Sequence, residues 1–238
     1  MRRGACGALA LLLAAPLAAA ADPFARPRRD MVAEQIRARG VAQPDVLRAM
    51  EQVPRHLFAP RALQEQAYAD SALSLGSGRS IYQPYIVAVM TELLDLDRDD
   101  KVLEVGTGSG YHAAVLSRIA RQVYSIEIDP GTAQQAIRRL GELGYRNVEV
   151  RVGDGYQGWQ AWAPYDAILL SAAPPGRVPQ PLLDQLRVGG KMVAPIGEFF
   201  QDLLVITKTA DGLEKRSVIP VVVSPMTGRV RDVHRQRR

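Results

Sequence analysis

KVLEVGTGSGYHAAVLS, from Lys101 to Ser117, is the stretch that decides the fold. Lys101 to Val105 predicts a buried strand, and Tyr111 to Ala120 a helix with Ala113, Ala114 and Leu116 turned inward. Between them lies Gly106-Thr107-Gly108-Ser109-Gly110. Glycines reach backbone angles closed to other residues and carry no side chain to hold a ligand away. The helix that follows aims its free N–H groups back at the loop. Strand, glycine turn and helix in that order mark the first crossover of a doubly wound, nucleotide-type fold.

Outward from this crossover the chain alternates strand and helix. Strands are predicted over Gln122–Ile128, Asn147–Val152, Tyr165–Ser171 and Gly190–Pro195, with helices over Pro130–Leu143 and Pro179–Leu186. Asp202–Lys208 and Lys215–Val223 follow as two strands around the turn Asp211-Gly212. That is an α/β chain: a mainly parallel, seven-stranded, doubly wound Rossmann-like sheet with an antiparallel edge.

Upstream, a helical extension precedes the sheet. A helix capped by Asp30 runs to Arg39 and stops at Gly40, a second spans Pro44 to Gln52, and a third opens at Pro84 and runs to Leu94. The glycine- and serine-rich stretch Leu73 to Pro84 reads as a mobile or closely packed loop. His56 lies in VPRHLFAP without partner ligands nearby, which favours a structural role over a metal site, and no metal is expected elsewhere.

The 238 residues suffice for one ample domain with an added subdomain. Met1-Arg2-Arg3 followed by an Ala/Leu run to Ala21 describes a secretory signal peptide, with cleavage near Ala20 or Ala21. The domain plan is therefore 1–21 signal peptide, 22–95 helical and substrate-loop extension, 96–228 the α/β domain, and 229–238 a basic, solvated tail. The mature protein is expected to be exported, to the periplasm or beyond, and monomeric, with a cytoplasmic location the alternative if the start codon is mis-called. Cleavage removes Cys6, the only cysteine, which excludes disulfides and thiol chemistry from the mature chain. The net charge of +5 is an end effect, because without the two N-terminal arginines and the tail 23 basic residues face 24 acidic ones. The body carries no basic surface that would serve nucleic acid.

The spacing of the glycine loop narrows the ligand. A dinucleotide-binding turn, G-x-G-x-x-G, needs its last glycine where this chain has Tyr111, which disfavours a nicotinamide-dependent oxidoreductase. Here the pattern is Glu104-x-Gly106-x-Gly108-x-Gly110, and it resembles the first motif of the class I S-adenosylmethionine-dependent methyltransferases. A sulfonium cofactor has no pyrophosphate to seat, and its positive charges favour acids nearby. Glu127 ends the second strand of the sheet, where an acid in such folds accepts hydrogen bonds from ribose hydroxyls. Asp154-Gly155 follows the third strand, where an adenine edge is met and the backbone comes close.

From Met31 to about Arg229 the chain is similar to the protein-L-isoaspartate (D-aspartate) O-methyltransferases. The similarity rests on VPRHLFAP, AYADSALSLGSG, QPYIVAVMTELL, VLEVGTGSGYHAAVL, GDGYQGW, APYDAILLSAA, LLDQLRVGGKMVAPIG and SPMTG, in the family's order. The resemblance implies methyl transfer from S-adenosylmethionine to the misplaced carboxylate of isoaspartyl residues in damaged proteins. It further implies that Glu104, Gly106, Thr107, Gly108, Ser109, Gly110, Glu127, Asp154 and Gly155 hold the cofactor and that Thr227 helps to close its site. Asp70, Ser80 and Ile81 would border the substrate cleft, with Tyr82 in the catalytic position.

That position carries a departure. Where the family reads Ile-Ser-Gln-Pro, this chain reads Ile81-Tyr82-Gln83-Pro84, so a bulkier phenol replaces the active-site serine. Ser171 likewise stands where threonine is usual. The alternative implied by Tyr82 is a protein of the same fold with altered specificity or without catalysis, binding S-adenosylmethionine or damaged peptides.

Overall fold

The computed structural model describes residues 22–76 and 78–236. The signal peptide expected over residues 1–21, with Cys6, lies outside the described residues. The first helix, α1 (Ala25–Asp30), continues as a π-helical segment, Met31–Ile36, and a 3-10 turn, Arg37–Arg39. Asp30 was expected to cap this helix and instead lies inside it with helical angles and no capping bond. Asp22 does the local work, its Oδ1 accepting from the Phe24 amide at 2.9 Å and its Oδ2 meeting Arg28 at 2.8 Å. Phe24 in turn stacks on His56 at 4.1 Å, and His56 Nδ1 lies 2.7 Å from the Tyr68 hydroxyl, so His56 is a packing residue. Gly40 ends the helix at φ 99°.

Helices α2 (Pro44–Gln52) and α3 (Pro84–Leu94) open on proline as the sequence predicts. The stretch between them departs from expectation. What reads as a loop is an antiparallel hairpin of β1 (Leu73–Gly76) and β2 (Arg79–Ile81), pairing buried Leu73 with buried Ile81. Gly76 and Gly78 turn it at φ 80° and 71°.

The main sheet then follows: β3 (Lys101–Val105), α4 (Tyr111–Leu116), β4 (Gln122–Glu127), α5 (Pro130–Glu142), β5 (Val148–Val152), β6 (Tyr165–Leu170), α6 (Gln180–Gln185), β7 (Leu186–Ile196), β8 (Gln201–Thr209) and β9 (Gly212–Val221). Helix α4 stops short of Ala120 because the Ser117 hydroxyl turns back to the Ala114 carbonyl at 2.8 Å. The strand order is β5-β4-β3-β6-β7-β8-β9, parallel from β5 to β7 and antiparallel beyond. Chain direction across the sheet reverses at β3, between β4 and β6, and the crevice for a ligand opens there above the strands' carboxyl ends.

Successive side chains feed two cores. Val102, Val123, Ala167, Leu169 and Val193 pack on the face covered by α2, α3 and α4, while Leu103, Tyr124, Ile168, Leu170 and Met192 pack on the other, with Leu182 of α6. Each fully buried Leu or Ile contributes about 1.5–3 kcal/mol of transfer free energy. The tail also departs from expectation. It is not simply a solvated end but begins as α7 (Arg229–Arg235), whose Val230 is buried in the second core.

Candidate active site

Parallel register builds the centre of the site. Glu104 on β3 stands opposite Ser125 on β4 and opposite Leu169 on β6. The Ser125 hydroxyl donates to Glu104 Oε2 at 2.5 Å, Thr107 Oγ1 lies 2.5 Å from the same Ser125 oxygen, and Ser171 Oγ is 3.5 Å from Oε1. Glu104 is fully enclosed. Burial pushes its carboxyl up to about 8, against the pull of the Ser125 bond and with repulsion from Glu127 added.

The loop after β3 is held from both sides. The Gly106 amide donates to the Ile126 carbonyl at 2.8 Å, and the Gly108 amide donates to Glu127 Oε2 at 2.8 Å. Glu127 Oε1 accepts from the Asp129 amide at 3.0 Å, so both its oxygens are oriented by backbone. Gly106 has φ 101°, and a Cβ there would reach Ser171 Cβ at 3.4 Å. The glycine loop and the two glutamates line a cavity of about 380 Å³, a size suited to a nucleoside ligand.

Of the residues expected at the site, Gly106, Thr107, Gly108, Ser109, Gly155 and Thr227 all face this cavity. Gly155 is a true cradle position, since a Cβ there would fall 2.3 Å from Val105 Cγ1. From the hairpin side, Ser80, Ile81 and Tyr82 line the same space. Tyr82 points across the cleft, and its hydroxyl donates to the Ser171 carbonyl at the end of β6. Burial raises its pKa, so the phenol remains a donor throughout the working pH range.

Three expected residues lie elsewhere. Gly110 caps α4 at φ 86° and packs against α5, where a Cβ would touch Leu140 at 3.3 Å. Asp154 does not line the cavity, because its Oδ1 accepts from the Tyr156 amide at 2.9 Å and its Oδ2 from the Arg229 amide at 2.7 Å. Asp70 is exposed and outside this cavity, bound to Gln83 Nε2 at 2.7 Å beside Tyr82 and near Arg39 at 3.4 Å.

The structure adds residues that spacing did not reveal. Arg79 crosses the mouth from β2, meeting the Thr132 hydroxyl and lying 3.7 Å from Asp129 at the start of α5. Ser224 Oγ donates to the Gly78 carbonyl at 3.0 Å, tying the hairpin tip to the C-terminal segment. Ser125 was legible only through its register with Glu104, and His112 only through its place one residue into α4.

Comparison with known proteins agrees with this geometry. Residues 26–231 match the family model described as protein-L-isoaspartate(D-aspartate) O-methyltransferase. A protein-L-isoaspartate O-methyltransferase of Synechococcus sp. (strain JA-2-3B'a(2-13)) is 54% identical over 215 residues, covering 87% of this chain and 88% of that protein. Its counterpart in Picosynechococcus sp. (strain ATCC 27264 / PCC 7002 / PR-6) is 53% identical over 208 residues, covering 87% and 93%. A solved protein-L-isoaspartate O-methyltransferase superposes with a TM-score of 0.78 at 28% identity, over 88% of this chain and 69% of that one.

Proposed function

This chain belongs to the protein-L-isoaspartate(D-aspartate) O-methyltransferase family, and from that premise we propose how its cleft serves the family's reaction. The enzyme transfers a methyl group from S-adenosylmethionine to the free carboxylate of an isoaspartyl residue in a damaged protein, which starts its repair. The observation that carries the assignment is the pair of acids under the glycine loop. Glu104 is wholly buried, Glu127 nearly so, and among the described residues neither joins an ion pair. Carboxyls facing a cavity with no cation beside them suit a ligand with a positive centre, which favours the ionised form of Glu104.

Glu104, the Gly106–Ser109 loop, Glu127 and Gly155 would hold that cofactor, with Thr227 at its border. When bound, the cofactor supplies an activated methyl group on a sulfonium. Glu127, its oxygens set by two backbone amides, would orient the ribose. Ser80, Ile81 and Tyr82 form the wall against which the polypeptide lies, and Tyr82 narrows that wall by reaching Ser171. The accepting carboxylate has a reference pKa near about 4, so it is ionised without a general base. His112, whose pKa burial pushes down to about 3, stays neutral and moves no proton. Catalysis then comes from alignment of the two reactants and exclusion of water.

Sequence pattern supports the finer reading of an exported protein with a signal peptide over residues 1–21, a helical and substrate-loop extension over 22–95 and an α/β domain over 96–228, and a monomer is the simplest state to test. Among the described residues no helix is long and apolar enough to cross a membrane. N-terminal sequencing after fractionation, with gel filtration, checks these points. The reaction itself is tested with radiolabelled S-adenosylmethionine. An isoaspartyl peptide should be labelled and its normal aspartyl twin should not, and equal labelling of the two would remove the substrate assignment.

A further inference from the structure

His112 lines the cleft from the first turn of α4, is 7% exposed, and packs against α3. Its Nε2 lies 3.0 Å from Thr91 Oγ1. The Thr91 hydroxyl already gives its proton to the Val87 carbonyl at 2.8 Å, so toward His112 that oxygen accepts. The contact therefore places the imidazole proton on Nε2 and leaves Nδ1 with a bare lone pair. Among the described residues Nδ1 is buried and has no partner. A buried acceptor without a donor is costly, and in a binding cleft the donor that answers it belongs to the ligand.

The position of His112 narrows which donor that is. Glu127 and Gly155 lie toward β4 and β5, where the nucleoside is placed by the reading above, on which this inference rests. His112 stands on the α3 side, with Val87 and Ile81. With the nucleoside held at Glu127 and Gly155, the part of the cofactor that would reach this side is its amino-acid end. Of the groups at that end the carboxylate and the sulfur donate nothing, and the ammonium does. The isoaspartyl carboxylate, being ionised, also only accepts.

We propose that His112 is a cofactor-binding residue, its Nδ1 accepting a hydrogen bond from the ammonium of the cofactor's amino-acid portion. Calorimetry on the full chain tests this with two neutral thioethers, S-adenosylhomocysteine and methylthioadenosine, which differ by that amino-acid portion. His112→Phe should weaken S-adenosylhomocysteine about tenfold, the scale of one buried hydrogen bond to a charged donor, and leave methylthioadenosine unchanged. His112→Gln, which can keep one amide group on Thr91 and offer an acceptor, should restore most of the loss. Unchanged methylthioadenosine binding also reports that the variant cleft is folded. Equal weakening of both ligands, no weakening of either, or an effect confined to the KM of the isoaspartyl peptide would overturn the proposal. Failure of the wild-type chain to bind S-adenosylhomocysteine would instead overturn the cofactor reading beneath it.

Discussion

Glu104 carries a large electrostatic cost in the cleft. Its ordinary pKa of 4.5 is raised to about 8 by burial. Between those values the folded protein holds a proton that the unfolded chain has released, so this group's contribution to stability falls as pH rises from 4.5 toward 8. Glu104→Gln should therefore raise the melting temperature at pH 8, by about 2–4 °C for each 1 kcal/mol relieved, while weakening cofactor binding. A cationic ligand favours the ionised form, so binding below pH 8 should release a proton, visible by calorimetry in two buffers of different ionisation heat. Tyr82 acts on a smaller scale. Tyr82→Phe removes the donor to the Ser171 carbonyl and should cost about 1 kcal/mol, read as a lower melting temperature. The acid–glycine spacing made Glu104 visible in the sequence, whereas the direction of Tyr82 was not, because its partner lies 89 positions away.

At the scale of elements, the hairpin of β1 and β2 forms one wall of the cleft and is fastened at its tip by few bonds. Arg79 meets Thr132 and Asp129, and Ser224 holds Gly78. Exposed ion pairs add at most about 1 kcal/mol, so Arg79→Ala should hardly shift the global melting temperature. It should instead speed amide hydrogen exchange in Leu73–Ile81, since the hairpin then opens locally. Faster exchange throughout the sheet would contradict this division of labour. The hairpin was hidden in the sequence by its glycines and serines, which also suit a loop. Pairing of Leu73 with Ile81 and their shared burial chose strand over loop. The helix starts at Pro44 and Pro84 were legible because proline's restricted backbone acts locally.

Across the whole molecule, Asp154 links the end of β5 to the C-terminal helix. Its carboxylate accepts from Tyr156 and Arg229, and a Cβ on Gly228 would come 2.5 Å from Asp154 Oδ2. Asp154→Ala should cost about 1 kcal/mol for each lost cap, lowering the melting temperature and exposing the Arg229 amide to exchange. Gly228→Ala should do the same by collision, as its φ of 82° and the nearby carboxylate both exclude a side chain. Asp154 was expected at the cofactor because it follows the third strand of the sheet, and the tail was expected to be solvated because it is rich in arginine. The structure joins the two segments, since the helix begun at Arg229 takes up the second oxygen of the aspartate.

The order of strands and helices within the main sheet, the glycine turn and the acids on its first two strands were determined by the sequence alone. Side-chain period and turn chemistry act over a few residues, so they can be read from neighbours in the chain. Only the tertiary structure decided that Asp154 serves a helix 75 positions later, that Tyr82 closes on Ser171, and that Thr91 sets the tautomer of His112. Those pairings follow from which elements are packed side by side, and a hydrogen-bonding group takes whichever partner that packing brings within reach.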